Sequence, residues 1–207
     1  MPETHDTLPP RKTAATARTV AVVALTGLLR ALAALADPPT PGLDSILASL
    51  AGRPHGHVLY SEEIVSPLFK RAQHTSGELL FDAPDRLEKK TLRPAPADLV
   101  VEGDTVTMTR GTHRSSIRLL DYPQLSPLLN AIRATLAGDR AALERSFQVS
   151  VITSEPNWEL SLEPLPGGGN PLYRSIRIRG SNGQVESVAF ERTNGERTTM
   201  TLEPLDR

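Results

Sequence analysis

The chain has 207 residues, of which 39% are hydrophobic and 23% charged, and a formal net charge of −1. This composition suits one globular domain rather than a disordered or membrane-embedded chain, and near-neutrality with arginines spread along the sequence leaves no global field to gather nucleic acid or an anionic bilayer. The absence of cysteine removes disulfides, thiol catalysis, cysteine zinc sites and a lipidated N-terminal cysteine.

In chain order, Arg11, Lys12 and Arg18 precede "TVAVVALTGLL", an apolar run too short to cross a membrane, and small residues follow in "ALAALADPP". The pattern predicts an export signal over 1–36, cleaved after Ala36 with Ala34 completing an Ala-x-Ala site, and a single domain over 37–207. Arg30 interrupts the boundary, and an amphipathic helix or short membrane anchor is the alternative. Beyond the Pro-rich joint, Leu43, Ile46, Leu47 and Leu50 predict a short amphipathic helix ending at Gly52.

From His57 the pattern is extended. "HVLYSEEIV", "LFKRAQHTSGELLFDAP" and "RLEKKTLRP" are punctuated by Pro67, Pro84 and Pro94, residues that suit strand ends. In "DLVVEGDTVTMT" the Glu102-Gly103-Asp104 tip reverses the chain, and Val106 and Met108 then share one face while Thr105, Thr107 and Thr109 share the other. "HRSSIRLL" reads as a further strand.

The middle carries the main helix, with Leu125, Leu128, Leu129, Ile132 and Leu136 in a stripe, a stop at Gly138 and a second short turn through Leu143. Strands resume in "FQVSVITSEP", "NWELSLEPL" and "LYRSIRIRG", where Trp158, Leu160 and Leu162 alternate with polar residues. "SNGQ" and "TNGE" read as two-residue Asn-Gly hairpin turns. The whole is mainly β with α: roughly ten antiparallel strands, an arrangement in which one large sheet curls or closes, with helices near the start and middle.

The order of helix, meander, central helix and returning hairpins resembles the outer-membrane lipoprotein carrier family, LolA-like. The local match is "GELLFDAPDRLEKKTLRPAPADLVVEGDTVTM", residues 77–108, with Gly77, Pro84, Pro94 and the Leu99 to Gly103 hairpin in the family's arrangement. The resemblance implies a half-open antiparallel β-barrel covered by short helices, with a hydrophobic cavity that shields acyl chains. It also implies transfer of a lipoprotein or other lipid cargo from an inner-membrane transporter to an outer-membrane acceptor across the periplasm of a Gram-negative bacterium. No cofactor, metal or nucleic acid is expected, and the carrier would act as a monomer. The family's arginine before the first motif proline, implicated in holding a lid closed, is Ala83 here. That departure favours a divergent member handling another lipid, such as a glycolipid.

On this reading the cavity candidates are Leu79, Phe81, Val106, Met108, Leu125, Leu128, Leu129, Ile132, Leu136, Trp158, Leu160 and Leu162, with the helix of 125–136 as lid. The same alternation builds a filled core, so the pattern alone leaves core and cavity open. Arg177 and Arg179 fall on one strand face and are candidates for a headgroup or acidic partner, a solvated sheet face being the plain alternative.

Catalytic residues are not expected. His55 and His57 lack a nearby third ligand. Glu62 and Glu63 point to opposite faces of a strand and read as a charged edge. "PLPGGGNP" lacks the lysine and Ser/Thr of a phosphate loop and reads as a flexible hairpin connection, and Ser66, Ser76, Ser115 and Ser116 lack a nucleophile elbow. A periplasmic lipid-sensing or regulatory module without transport activity is the competing reading. An enzyme acting on a lipid or saccharide in the same cavity is a third.

Overall fold

The computed structural model describes residues 42–123, 125–166 and 172–205. The export signal expected over 1–36 and most of the Gly-rich stretch of 164–171 lie outside the described residues. Thr40–Arg207 forms one compact unit.

The first helix, α1 (Leu43–Ala51), buries Leu43, Ile46, Leu47 and Leu50, the stripe its spacing predicts. Six strands follow as a meander: β1 (His55–Val65), β2 (Gln73–Asp82), β3 (Arg86–Arg93), β4 (Ala97–Glu102), β5 (Thr105–Arg110) and β6 (His113–Arg118). A single 3-10 turn, Leu119–Asp121, leads to α2 (Ser126–Ala137) and the short α3 (Arg140–Glu144). Gly138 ends α2 at φ +72°, the left-handed cap that glycine adopts without a Cβ penalty. Then come β7 (Phe147–Ser154), β8 (Asn157–Pro164), β9 (Tyr173–Ser181), β10 (Gln184–Arg192) and β11 (Arg197–Pro204).

The eleven strands of the described residues join one antiparallel sheet in the order β6-β5-β4-β3-β2-β1-β11-β10-β9-β8-β7. The sheet is curled and unclosed. The first and last strands of the chain pair at its centre, so the strands from the middle of the sequence, β6 and β7, become its two edges. The chain crosses between those edges through α2 and α3, and this is what places helices over the inner face.

Two details differ from the sequence reading. The segment 68–72, expected to be extended, is part of the β1–β2 turn, because Pro67 sits at the second position of a turn closed by the Phe69 N–H donating to the Ser66 carbonyl (3.1 Å). The two Asn-Gly reversals also diverge. Asn182 and Gly183 both take positive φ (47° and 69°), as a two-residue hairpin turn requires. At the second, only Gly195 does (85°), and the Asn194 side chain accepts a hydrogen bond from the Glu196 N–H (3.0 Å). That local bond widens the connection into the loop Thr193–Glu196.

Candidate functional site

Strand registers assign each side chain to a face. The inner face carries Val58, Tyr60, Glu62 and Ile64 of β1, which stand opposite Leu79, Gly77, Thr75 and Gln73 of β2. It continues through Leu87, Lys89 and Thr91 of β3, Leu99 and Val101 of β4, Val106 and Met108 of β5, and Ile117 of β6. On the other side of β1 it includes Met200 of β11, Val188 of β10, Ile176 and Ile178 of β9, Trp158, Leu160 and Leu162 of β8, and Val149 and Val151 of β7.

The two halves of this face are filled differently. Over β7 to β10, the buried side of α1, with Ala131 and Ala134 of α2 and Leu143 of α3, packs against Phe147, Trp158, Leu160, Leu162, Ile176 and Ile178. Leu160, Leu162 and Ile176 are wholly buried. A Cβ at Gly180 would strike the Trp158 ring, so glycine lets the indole lie flat on β9. The Trp158 Nε1 is buried without a hydrogen-bond partner among the described residues.

Over β1 to β6 the apolar residues are only partly covered. Leu79, Leu87, Leu99, Val106 and Ile117 are half-buried and Met108 is exposed, while Phe81 and Val101 are buried. On α2 the tightly buried residues are Ala131, Ala134 and Thr135; the stripe Leu125, Leu128, Leu129, Ile132 and Leu136 is half-buried, with Leu128 packed against the core. Small residues make the closest helix contact, and the larger leucines sit beside it. The predicted cavity residues thus divide between a packed core (Trp158, Leu160, Leu162) and a partly open apolar face (Leu79, Val106, Met108).

The partly open face holds a polar cluster that the sequence reading missed. Glu62, expected at a charged edge, lies on a central strand and is 6% exposed. Its Oε2 accepts from Lys89 Nζ (2.6 Å) and from Thr75 Oγ1 (2.7 Å). The Lys89 ammonium also stands over the Tyr60 ring, 4.8 Å from its centroid, and the Tyr60 hydroxyl donates to Thr91 Oγ1 (2.8 Å). A carboxylate so far out of water needs such partners. The legible signal was a glutamate in register with Val58, Tyr60 and Ile64, and a lysine two residues from inward-facing Leu87. Glu63 points outward beside His74 (3.8 Å).

Arg133 was also missed. It reaches from α2 to the turns of two hairpins, donating through Nη2 to the Asp85 carbonyl (3.0 Å) and the Gly103 carbonyl (2.6 Å). Its Nε is buried without a partner among the described residues. The turn that follows Ala83 is therefore tied to a helix by an arginine coming from the helix. Arg140 links α1 to α3 through Asp44 (3.1 Å) and Glu144 (2.8 Å), whose hydrogen bonds raise its pKa. Burial raises the pKa of the Tyr173 phenol, which lies beside Phe190 and Arg192.

The remaining candidates lie on the outer face. Arg177 and Arg179 share it as expected, and both engage the Glu159 carboxylate (3.1 Å and 2.5 Å). His55 and His57 each contact a carboxylate on β2, Asp82 and Glu78, at 2.9 Å. Among the described residues no group of three or more His, Cys, Asp or Glu is placed to hold a metal ion, and no helix is long and apolar enough to cross a membrane.

Comparison with curated protein sequences gives no significant match. Among solved structures, a LolA superfamily protein from Nitrosomonas europaea is 12% identical, with 80% of this chain and 94% of that chain covered at a TM-score of 0.42. A putative outer membrane lipoprotein-sorting protein domain from Vibrio parahaemolyticus is 9% identical (77% and 89% covered, TM-score 0.41). The Mycobacterium tuberculosis lipoprotein LppX is 6% identical (81% and 99% covered, TM-score 0.40). Residues 35–203, nearly the whole described unit, match the family described as outer membrane lipoprotein carrier protein LolA-like. The chain belongs to that family.

Proposed function

We propose that the protein is a periplasmic carrier that binds the acyl chains of a lipoprotein or another lipid against the inner face of β1 to β6. The observation that carries this reading is the unequal filling of one continuous face: helices seal the β7 to β10 half, while Leu79, Leu87, Leu99, Val106, Met108 and Ile117 remain partly exposed. Burying apolar surface stabilises by about 25 cal/mol per Å², so such a face favours acyl chains over water. The helix α2 is the lid, and the bonds from Arg133 to the Asp85 and Gly103 carbonyls are its latch. Breaking two hydrogen bonds at one side chain is a small event, which suits a carrier that must also release cargo.

The polar cluster gives the cargo a second contact. Lys89 keeps N–H groups beyond the one given to Glu62, and the pair has no net charge, so it suits a hydroxyl- or carbonyl-bearing headgroup. Export through the signal of 1–36, loading at an inner-membrane transporter, unloading at an outer-membrane acceptor and action as a monomer complete the reading. No covalent chemistry is required.

The test is native mass spectrometry of protein purified without detergent from an expressing bacterium, followed by lipid extraction and by titration with a fluorescent fatty acid. A defined lipid at near-stoichiometric occupancy, or saturable uptake of the probe, supports the carrier. Empty protein that takes up no probe overturns it and favours the regulatory module.

A further inference from the structure

The turn joining β1 to β2 exposes two large apolar side chains: Leu68, the most exposed large hydrophobic among the described residues at 84%, and Phe69 at 49%. The turn is built, not slack. Ser66 is buried, its carbonyl accepts from the Phe69 N–H (3.1 Å), and its Oγ accepts from the Leu68 N–H (3.4 Å). Pro67 fixes the second position and lies against Gly195 of the β10–β11 loop. Leu68 is thereby held at the outer corner of an ordered turn.

Cations gather at this end of the sheet. Lys70 and Arg71 follow directly, and antiparallel pairing brings Arg93, Arg110 and Arg114 to the same end of the sheet, with exposed Leu92 beside Arg93. Among the described residues none of these five cations has a carboxylate within 4.0 Å. Of the acids at this end, Glu191 and Glu196 are engaged by arginines and Glu63 lies beside His74, so Asp98 of β4 is the acid nearest the free cations. The opposite end carries Asp82, Asp85, Glu102, Asp104, Asp121 and Glu155; of its cations, Arg86 and Arg118 are paired with acids and Arg53 donates to the Asn182 carbonyl. A chain of net charge −1 thus has a cationic end and an acidic end.

We propose that the cationic end is a membrane-docking surface for an anionic phospholipid bilayer, with Leu68 and Phe69 entering the interface and Lys70, Arg71 and Arg93 lying among the lipid phosphates. An exposed apolar corner on a cationic end of the sheet suits a fluid anionic surface, which closes around it, better than a protein groove, which would need to match its shape. The contact is shallow and electrostatically assisted, so it is reversible and weakens with salt.

The test reads position 68 itself, in the full chain. Leu68→Trp is mixed with phosphatidylcholine vesicles with or without phosphatidylglycerol, some carrying a spin-labelled acyl chain, and wild type supplies the baseline from buried Trp158. The expected result is a blue shift and spin-label quenching of the new indole only on phosphatidylglycerol vesicles, reversed by high salt. Adding Lys70→Glu and Arg71→Glu should reduce the partition at least about tenfold, because each cation near an anionic surface contributes measurably to attraction. An indole that stays water-exposed on every vesicle overturns the proposal, as does equal insertion without phosphatidylglycerol or without the two cations. Fatty-acid uptake, measured on the same variants, separates this result from the carrier reading: a variant that loses vesicle docking should still fill.

Discussion

The two halves of the inner face share strand chemistry but differ in what covers them. Along β8 and β9, Leu160, Leu162, Ile176 and Ile178 alternate with polar residues and lie buried beneath α1, α2 and α3. Along β4 and β5, Leu99, Val101, Val106 and Met108 alternate in the same way, yet only Val101 is buried. The more open half also contains the Glu62–Lys89 pair. A period-two pattern specifies which face is apolar, and the helices decide whether that face becomes core or surface. The proposed carrier role would use both outcomes: a packed half for stability and an unpacked half for cargo.

Three substitutions would break or sharpen this contrast. The largest effect is expected for Leu162→Ala, which should destabilise the protein by about 3 kcal/mol, since a wholly buried leucine leaves a cavity that the sheet and helices cannot fill. Urea unfolding should show a lower midpoint at unchanged slope, and a loss below about 1 kcal/mol would mean that the helix-covered half is loosely filled. Next is Lys89→Met, which leaves the Glu62 carboxylate buried with Thr75 as its remaining partner. About 2 kcal/mol should be lost, less than for a fully buried pair because Lys89 is partly exposed. The double variant Glu62→Met with Lys89→Met should recover most of that loss; if it does not, the pair stabilises the fold beyond charge compensation. The smallest change in stability is expected for Met108→Ser, below about 0.5 kcal/mol, because the side chain is already exposed. Its fatty-acid affinity should nevertheless fall, and unchanged affinity would remove β5 from the binding face.

Much of the fold was legible. The stripe of α1, the glycine stop of α2, the Gly103 reversal and the first Asn-Gly hairpin are local signals, each set by periodicity or backbone angle, and each appears where it was expected. The second Asn-Gly pair misled because Asn194 bonds locally to the Glu196 N–H instead of taking a left-handed angle. Glu62 misled for another reason: whether a strand is edge or centre depends on its pairing partners, and β11, which covers one side of β1, lies more than 130 residues away.

The sequence by itself determined the class of the molecule, an antiparallel sheet with helices at its start and middle, and which residues of each strand share a face. Those properties follow from spacing within a few residues. Tertiary structure decided what no local pattern encodes. It paired the first strand with the last, packed the buried faces of the helices against one half of the inner face, and drew Glu62 to Lys89 and Arg133 to two distant turns. It also sorted charges that look dispersed along the chain into a cationic and an acidic end. Antiparallel strands return at regular intervals to the same end of a sheet, so residues far apart in sequence accumulate there, and net charge carries no trace of that sorting.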